Sequence, residues 1–359
     1  MKKILVIQNK RIGDVLIASV IAQNIKKVHP DANVDFLVYD FTTGVIQNNP
    51  YINHIIAINE KETKQLPNLV KLAFTIRKKN YDIIFDPYAK FQSKFICLLS
   101  GANQRIGLVK PNKKLPFKFY TDVVHLLEEK SNVCGKSIED RVNMVSSLFP
   151  IQKNKIDYTP KIFLTEKEIN YNKLDGYNQP FIMLGVLGST PQKSMPYDYV
   201  TALIDFVTDT FQVNVLFNYA PHQKKEALKI YETCKNKSQI VIDIYEDTIR
   251  GFIKLMNKCS LLIGNEGGSI HIAKALNKPT FTIFSPYVHK EHWASFEDGV
   301  LHTSVHLIEE KPHLFGDDLG FESMRKIEND PVAMYRELTP ELMIPKLNLF
   351  LQRYLKQIK

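Results

Sequence analysis

Asp14, near the start of the chain, is of a type that can carry out acid–base chemistry, and Gly13 and the cations Lys10 and Arg11 beside it suit a charged substrate. They lie between an apolar run at 4–7, typical of a buried parallel strand, and a segment with the apolar spacing of a helix. The carboxylate can cap that helix, which stabilises a protein by about 1 kcal/mol. It can also accept a proton from an attacking hydroxyl group. The glycine and the two cations favour the second use, because a cap does not require them.

A second candidate lies far along the chain, in the stretch LLIGNEGGSIHIAKAL. It places Gly264, Gly267 and Gly268 between an apolar strand and a helix that starts near Ser269. Glycines let a ligand approach the backbone closely, and the free N–H groups at a helix start attract phosphate. The pattern is neither a P-loop nor the G-x-G-x-x-G turn of dinucleotide-binding proteins. An ordinary strand-to-helix turn with Ser269 as the N-cap is the alternative.

The positive charge that a phosphate site needs is available at Lys193, in the stretch GSTPQKSMPYDY. This lysine follows the apolar run 181–188, so its loop lies at the same sheet edge as the glycine turn if the sheet is parallel. A lysine ammonium can pair with a diphosphate as a mobile point charge. Composition alone also allows a solvent-exposed loop lysine.

Both stretches belong to a chain that alternates strand and helix patterns. The strand-like runs are 4–8, 34–39, 54–59, 81–87 and 105–108 in the first half, and 181–188, 213–219, 240–245, 260–265 and 280–286 in the second. Helix-like segments between them predict parallel, doubly wound sheets. The alternation breaks in a lysine-rich stretch at 150–180, which predicts a linker between two α/β domains. Residues 288–335 are predicted to be irregular, and a helix capped by Thr339 closes the chain.

Composition excludes several classes of protein. The chain has 359 residues, 44% of them hydrophobic, and no apolar run of the roughly 18 to 20 residues that span a bilayer. Its four cysteines form no C-x-x-C pair, which argues against a disulfide framework and a thiolate metal site. We expect a soluble, cytoplasmic protein with reduced core thiols.

Positive charge is concentrated in one part of the chain. Thirteen of its Lys and Arg residues lie between 61 and 118, against three acids, while the whole chain has a net charge of +9. This segment is expected to meet an anionic partner, either a phosphorylated glycan, an acidic lipid surface or nucleic acid. Nucleic acid is the weakest of these because no recognition motif accompanies the charge. Solvated helix faces are the alternative.

Three separated motifs resemble those of the ADP-heptose:lipopolysaccharide heptosyltransferases, glycosyltransferase family 9. RIGDVL is similar to the family's R-x-G-D-[VI]-L, and KSMP to its K-x-W-P. LIGNEGGSIHIAKALNKP is similar to I-G-x-[DN]-[TS]-G-x-x-H-[LI]-A-A-A-L-x-K-P. The motifs occur in the family's order, and the similarity runs nearly end to end.

The resemblance implies an α/β protein of GT-B architecture, with two Rossmann-like doubly wound domains that face a central cleft. An acceptor-binding domain is expected at 1–165 and a nucleotide-sugar-binding domain at 175–340. A C-terminal helix, 341–359, is expected to cross back and pack on the N-terminal domain. The implied activity is an inverting, metal-independent glycosyl transfer without a cofactor, from an ADP-heptose or related donor to a lipopolysaccharide inner-core acceptor.

The resemblance also implies partners and residue roles. The partners are a nucleotide-sugar donor, an anionic glycolipid acceptor and, transiently, the cytoplasmic membrane face, without nucleic acid. Asp14 corresponds to the family's general base and Lys193 to the residue that contacts the donor phosphates. The donor site is further expected to contain Glu266, Gly267, Gly268, Ser269 and His271, and the acceptor site Lys10, Arg11, Gly13, Lys113 and Lys114.

The chain departs from the family pattern in the donor motifs. Glu266 and Gly267 stand in place of the acid and hydroxyl of D-[TS]-G, and Met195 in place of the tryptophan of K-x-W-P. Two alternatives therefore stay open. One is a transferase of the same fold with another nucleotide-sugar donor or acceptor glycan, and the other is a catalytically silent saccharide-binding protein. The presence of Asp14 and Lys193 argues against the silent protein. An NAD dehydrogenase is disfavoured because neither half has the nucleotide-binding glycine pattern.

Histidines cluster in the second half of the chain. His302 and His306 have the spacing of two metal ligands on a helix, but no cysteine or fixed acid accompanies them. We therefore predict no metal site and expect loop or acceptor-facing histidines.

Overall fold

The computed structural model describes residues 1–111, 119–315, 329 and 331–358. Its contacts divide the chain into two compact units, Met1–Phe163 and Leu164–Lys359. Each unit contains one six-stranded sheet. The division lies close to residue 165, where the sequence predicts the first domain to end.

The first unit is a parallel sheet with helices between its strands. The strands are β1 (Lys3–Ile7), β2 (Asn33–Tyr39), β3 (His54–Ile58), β4 (Ile83–Asp86), β5 (Gln104–Val109) and β6 (Asp122–His125). The helices are α1 (Ile12–Val28), α2 (Glu60–Thr63), α3 (Leu66–Lys78), α4 (Phe91–Leu99) and α5 (Lys136–Ser146). The strand order is β3-β2-β1-β4-β5-β6, and every pairing is parallel. The order reverses between β1 and β4, and such a switch point is where doubly wound sheets bind ligands.

Two elements of the first unit, β6 and α5, do not appear in the sequence pattern. β6 is a four-residue edge strand that is largely exposed, so it lacks an apolar run. α5 packs against α1 and buries Glu139, Asp140 and Arg141 in its middle turn. Those three charged side chains interrupt the apolar spacing by which a buried helix is predicted.

The second unit repeats the same arrangement. Its strands are β7 (Phe181–Gly185), β8 (Asn214–Asn218), β9 (Ile240–Val241), β10 (Leu261–Asn265), β11 (Thr280–Ile283) and β12 (His302–Val305). Its helices are α6 (Glu166–Ile169), α7 (Tyr197–Thr210), α8 (Lys224–Thr233), α9 (Ile249–Lys258), α10 (Gly268–Ala275), α11 (Lys290–Trp293), α12 (Leu307–Glu310), and the helices Pro331–Glu337 and Pro340–Leu351. The strand order is β12-β11-β10-β7-β8-β9, again parallel throughout. Its switch point lies between β7 and β10.

The backbones of β7 and β10 approach closely at the switch point of the second unit. Gly185 at the end of β7 pairs with Gly264 of β10. A Cβ atom added to Gly264 would lie 3.0 Å from the Gly185 Cα atom, a tight contact for which the neighbouring backbone would have to shift. The two glycines thus keep the neighbouring strand ends free of side chains at the edge where ligands bind.

The closing helix Pro340–Leu351 contributes to the core of the second unit. The resemblance implies that residues 341–359 cross back to the N-terminal domain, and that expectation stays a prediction. Met343, Leu347, Phe350 and Leu351 are buried there, and the helix contacts α7 and β12. An amphipathic stripe predicts that a helix packs on a core but does not identify which one.

The segment predicted to be irregular, 288–335, also contains regular structure: α11, β12, α12 and the helix Pro331–Glu337. β12 has the sequence HTSV and is largely buried, but its polar residues do not form the apolar run by which a buried strand is predicted. The four cysteines are free and buried, as predicted. Within the described part of the chain, no helix has both the length and the apolar character needed to cross a membrane.

Candidate functional site

Asp14 lies in the first turn of α1, at the carboxyl end of β1. The N-cap of α1 is Arg11, whose side chain makes no capping hydrogen bond, and Asp14 is the third helical residue. Gly13 precedes it, and both residues are buried. Asp14 is therefore not the cap of this helix, and its burial needs another explanation.

Two cations flank the Asp14 carboxylate. Lys10 donates a hydrogen bond from Nζ to Oδ1 at 2.7 Å, and Arg141 Nη2 lies 3.9 Å from the same oxygen. No hydrogen bond to Oδ2 is found among the described residues. The carboxylate thus has one oxygen held by cations and a second available to another proton donor, while the helix N-terminus also favours its negative charge.

Arg141 is the residue of this site that the sequence analysis missed. Its guanidinium is buried, and Nη1 donates to the Ser137 carbonyl oxygen at 2.8 Å. Burial lowers the pKa of Arg141, while the carboxylates of Asp14 and Asp140 oppose that lowering. Because a buried cation needs a nearby anion, Asp14 and Arg141 stabilise each other.

The predicted acceptor residues Lys10 and Arg11, just before α1, lie at the same edge of the sheet. Arg11 Nη1 lies 3.4 Å from Glu60 Oε2, and the guanidinium carbon lies 5.7 Å from the Phe41 ring centroid. Lys10 Nζ lies 6.0 Å from the ring centroid of Tyr88, whose pKa is raised chiefly by burial. Lys10, Arg11, Gly13 and Asp14 are thus brought together, whereas Lys113 and Lys114 lie outside the described residues.

In the second unit, Lys193 and Glu266 meet across the switch point. Lys193 ends a single turn, Pro191–Lys193, after β7, and Glu266 directly follows β10. Lys193 Nζ donates to Glu266 Oε1 at 2.5 Å. β7 and β10 are neighbouring parallel strands, so the two loops share one edge, as the sequence predicts for a parallel sheet.

The loop that carries Lys193 is tightly folded. The Gly188 N–H donates to Ser194 Oγ at 2.9 Å, and a Cβ atom added to Gly188 would lie 2.2 Å from the Lys193 carbonyl oxygen. The Met195 N–H donates to Asn265 Oδ1 at 3.3 Å, and the Met195 side chain is buried in the core. Only a glycine at 188 allows this turn, which holds Lys193 against β10.

The glycine turn leads directly into α10. Gly267 is the N-cap and Gly268 the first helical residue, so Ser269 lies inside the helix and does not cap it. A Cβ atom added to Gly267 would meet no atom within 4 Å. The space beside this backbone is open next to the Lys193–Glu266 pair, which suits an anionic group bound at a helix start.

The sequence profile of glycosyltransferase family 9 (heptosyltransferase) matches residues 69–313. The chain belongs to this family. It is 24% identical over 297 residues to lipopolysaccharide heptosyltransferase 1 of Campylobacter coli, covering 79% of this chain and 83% of the relative. The structure of the family 9 glycosyl transferase of Veillonella parvula superposes with a TM-score of 0.78 at 16% identity, covering 98% of both chains. Escherichia coli ADP-heptose LPS heptosyltransferase II superposes with a TM-score of 0.70 at 19% identity, covering 98% of this chain and 99% of that one.

The structural similarity confirms the predicted α/β fold of GT-B type. The match to the family profile confirms that the chain is a glycosyltransferase. Three departures from the family motifs lie around the Lys193 loop and the start of α10. Met195, in place of tryptophan, fills the core beside the Lys193 loop. Glu266, in place of a shorter acid, reaches the Lys193 ammonium. Gly267, in place of a hydroxyl residue, opens the start of α10.

A further departure lies in α10, where Lys274 occupies a position that is alanine in the family motif. Its ammonium is buried and donates to the Ser295 carbonyl oxygen at 2.5 Å and to Glu297 Oε1 at 2.6 Å. Burial lowers the pKa of Lys274, while Glu297 opposes that lowering. This ion pair ties the segment after β11 to α10. His271, one turn earlier, is buried with its ring centroid 6.3 Å from that of Trp293 in the same segment.

A cavity of about 440 Å³ lies beside the Lys193 loop. Residues that line it include Thr190, Ser194, Tyr197, Gln223, Glu226 and Arg336. Tyr335, from the same helix as Arg336, is fully buried and donates to Asn265 Oδ1 at 3.1 Å. The helix Pro331–Glu337 therefore joins the site through Asn265, a connection that the predicted irregular segment did not suggest.

The histidines with metal-ligand spacing have structural partners. His302 lies in β12, where Nδ1 is 3.0 Å from Thr280 Oγ1. His306 Nε2 lies 3.1 Å from the Val288 carbonyl oxygen, and Nδ1 accepts from the Ile308 N–H at 3.1 Å. Because His302 is in a strand, the helical spacing does not apply. Among the described residues, no group of three or more His, Cys, Asp or Glu side chains could hold a metal ion.

Proposed function

We propose that this glycosyltransferase moves a heptose, or a related sugar, from an ADP-activated donor to a lipopolysaccharide inner-core acceptor with inversion at the anomeric carbon. The observation that carries the proposal is the Lys193–Glu266 pair beside the open start of α10. The names of the relatives support the substrate class, since one is an ADP-heptose LPS heptosyltransferase and another a lipopolysaccharide heptosyltransferase.

The second unit supplies the donor half of the reaction. When the bond between the anomeric carbon and the phosphate oxygen breaks, negative charge develops on the departing diphosphate. Lys193 has three N–H donors, of which Glu266 uses one, so two remain for phosphate oxygens. The backbone N–H groups of Gly268 and Ser269 at the start of α10 add further donors. These groups supply the stabilising charge without a metal ion in the proposed reaction.

The first unit supplies the acceptor half. Asp14 is proposed to take the proton of the acceptor hydroxyl on Oδ2 as that hydroxyl oxygen attacks the anomeric carbon. Lys10 and Arg141 hold Oδ1, which fixes the direction of the free oxygen. Lys10 and Arg11, at the edge of the site, can also attract the phosphate or carboxylate groups of an inner-core saccharide.

The cavity beside the Lys193 loop is proposed to hold the nucleoside of the donor. It adjoins the proposed diphosphate position through Thr190 and Ser194, and Glu226 offers a carboxylate to ribose hydroxyls. The Gln223 amide lines the cavity while it bonds the Gly188 and Ala220 backbone. No cofactor takes part in the proposed reaction. The enzyme is expected to work in the cytoplasm, where nucleotide sugars are made.

One observation favours a second candidate, a transferase with another nucleotide-sugar donor. Glu266 and Gly267 replace the acid and the hydroxyl of the family motif; Glu266 contacts Lys193, and Gly267 follows it in sequence. A change at this place alters the groups that face the donor, so the base or the sugar can differ from that of the relatives.

A donor panel separates the two candidates. The shift in melting temperature is measured with ADP, UDP, GDP and CMP, and transfer is then assayed with the sugar nucleotide of the favoured base. We expect ADP to give the largest shift and ADP-heptose to support transfer to a deacylated inner-core acceptor. A larger shift with UDP, GDP or CMP would favour the second candidate, and no shift with any nucleotide would contradict the donor site.

A further inference from the structure

Helices α3 and α4 present large apolar side chains to solvent. Leu66 and Phe74 of α3 are 57% and 51% exposed, and Phe91 and Leu98 of α4 are 63% and 39% exposed. Each helix already buries a separate apolar stripe, so these side chains are additional to those that the fold requires. Exposed apolar residues in one patch mark an interaction surface more often than singly scattered ones do.

The exposed side chains of the two helices belong to one surface. α3 buries Leu69, Ala73 and Ile76, and α4 buries Ile96 and Cys97, all in the same core cluster of the first unit. The two helices also pack against each other. The exposed residues of both helices therefore lie in one layer, outside the stripes that pack on the sheet. We call this surface the α3–α4 face and define it by Leu66, Lys71, Phe74, Lys78, Phe91 and Leu98.

The α3–α4 face carries positive charge without any acid. The sequences of α3 and α4, LPNLVKLAFTIRK and FQSKFICLL, contain no Asp or Glu. Lys71 precedes Phe74 by three residues and Lys78 follows it by four, so both flank the exposed ring on the helix surface. Both lysines are exposed, and no acidic partner is found for either among the described residues.

We propose that the α3–α4 face docks the protein on a bilayer that contains anionic lipids. Phe74, Phe91 and the two leucines would enter the boundary between head groups and acyl chains, where aromatic and aliphatic side chains are favourable. Lys71 and Lys78 would lie at the level of the lipid phosphates, each contributing electrostatic attraction. A nucleic acid would satisfy the lysines but gives no role to Leu66 and Leu98.

The position of this face in the first unit gives the docking a use. Phe91 begins α4 just after β4, at the sheet edge that carries Lys10, Arg11 and Asp14, and only two residues separate it from Tyr88. Docking through α3 and α4 would hold this edge close to the membrane surface, where a lipid-anchored acceptor lies. This use rests on the proposed function, whereas the docking itself does not.

The test measures binding of the full chain to vesicles by cosedimentation. One set of vesicles contains phosphatidylglycerol and phosphatidylethanolamine, and the other only phosphatidylcholine. We expect binding to the anionic vesicles that weakens with added salt, and at least tenfold weaker binding to the neutral ones. Absence of binding to the anionic vesicles would overturn the proposal.

Two double variants locate the docking surface. Phe74→Ser with Phe91→Ser removes the exposed rings, and Lys71→Glu with Lys78→Glu reverses the charge. Each is expected to weaken binding to anionic vesicles about tenfold or more while the melting temperature stays near that of the parent, because all four side chains are exposed. Binding at the parent level by either variant would overturn the proposal.

Matched controls come from the second unit. Leu349 is 62% exposed, so Leu349→Ser removes a comparable apolar side chain. Lys225→Glu with Lys229→Glu makes the same change of charge on one exposed face of α8. Both controls are expected to bind vesicles like the parent; losses equal to those of the α3–α4 variants would assign the effect to overall charge or apolarity and overturn the proposal.

A soluble acceptor separates this inference from the proposed function. With a deacylated acceptor, the α3–α4 variants are expected to transfer sugar at the parent rate, whereas with acceptor embedded in anionic vesicles they are expected to be slower by about the loss in vesicle binding. Vesicle binding that persists in a protein without transferase activity would support the docking and reject the proposed function alone. Equal rates of parent and variants on the embedded acceptor would overturn the use proposed for the face.

Discussion

Lys193 Nζ and Glu266 Oε1 lie 2.5 Å apart, joining the loops that follow two neighbouring parallel strands. The pair is partly buried, with Glu266 the more enclosed of the two. A lysine side chain is flexible, so an ammonium fixed by a carboxylate has a defined direction that a free lysine lacks. The two N–H donors that Glu266 leaves unused therefore have a preferred orientation for a diphosphate.

Replacing Lys193 by alanine removes that charge from the donor site. We expect Lys193→Ala to weaken ADP binding by about 1 to 3 kcal/mol, roughly 5- to 150-fold in Kd, the range for losing a charge-assisted hydrogen bond. Isothermal titration calorimetry measures the change. Lys225→Ala, at an exposed position on α8 of the same unit, serves as the control. Normal ADP binding by Lys193→Ala would place the diphosphate elsewhere.

Replacing Asp14 by asparagine tests the proposed base. Asparagine keeps the shape but cannot accept the proton, so transfer should fall about a hundredfold or more, with the acceptor KM changed less than kcat. The sequence alone predicts a stability cost within about 1 kcal/mol. Because Asp14 also faces the buried Arg141, we now expect a larger cost, about 1 to 3 kcal/mol, in chemical denaturation.

A double variant separates the structural and catalytic roles of Asp14. Asp14→Asn with Arg141→Met removes both charges, so it should recover part of the stability lost in Asp14→Asn. It should recover none of the transfer activity. Recovery of activity together with stability would show that Asp14 acts only by supporting Arg141.

Lys274 provides a test of the segment that follows β11. Lys274→Ala leaves the Glu297 carboxylate buried without its cation, so we expect a loss of about 3 to 5 kcal/mol in the free energy of unfolding. Lys274→Met with Glu297→Gln removes both charges and is expected to cost much less. Urea denaturation measures both variants. A cost for the double variant equal to that of Lys274→Ala would mean that packing of the lysine stem, not the ion pair, dominates.

His302 makes stability depend on pH. Burial lowers its pKa in the folded protein to about 4, below the ordinary value of 6.5. The unfolded chain therefore binds the proton first as pH falls, so stability is fully present above about 6.5 and is lost between 6.5 and 4. Between pH 7 and 5 this loss is about 2 kcal/mol.

The histidine can be assigned by substitution. His302→Asn is expected to reduce the decrease in melting temperature between pH 7 and 5, whereas His54→Asn, at an exposed position, should leave it unchanged. Burial also lowers the pKa of His306, so part of the pH dependence should persist in His302→Asn. An unchanged pH dependence in His302→Asn would contradict the assignment.

The positions of Asp14, Lys193 and Glu266 after apolar strands could be predicted because they depend on short-range patterns. Parallel strands bring the loops of one sheet to one edge, as they do for Lys193 and Glu266 in the second unit. Arg141 could not be predicted, because the charged residues of α5 interrupt the apolar spacing that marks a buried helix. A lysine such as Lys274 is expected at the surface because burying its charge is costly. Its contact with Glu297, 23 residues away in sequence, explains its burial.

Both parallel sheets of the fold were predicted, but some of their elements were missed. The alternation of apolar runs gave the two parallel sheets, since a buried parallel strand has an apolar sequence of its own. β12 was missed because His302 and Ser304 are polar yet buried in it. The partner of the closing helix depends on contacts far apart in sequence, and an apolar stripe carries no information about them.

The place of that closing helix has a consequence for the order of events during translation. β7 and α7 are made well before Met343, Leu347 and Phe350, the residues that complete their core. On the ribosome the first unit can finish its sheet and core while the second is still being made. The apolar side chains of α7 therefore stay partly uncovered until residues 340–351 emerge from the ribosome. Nascent chains stalled shortly before residue 340 would therefore expose the apolar faces that Met343, Leu347 and Phe350 cover in the finished protein.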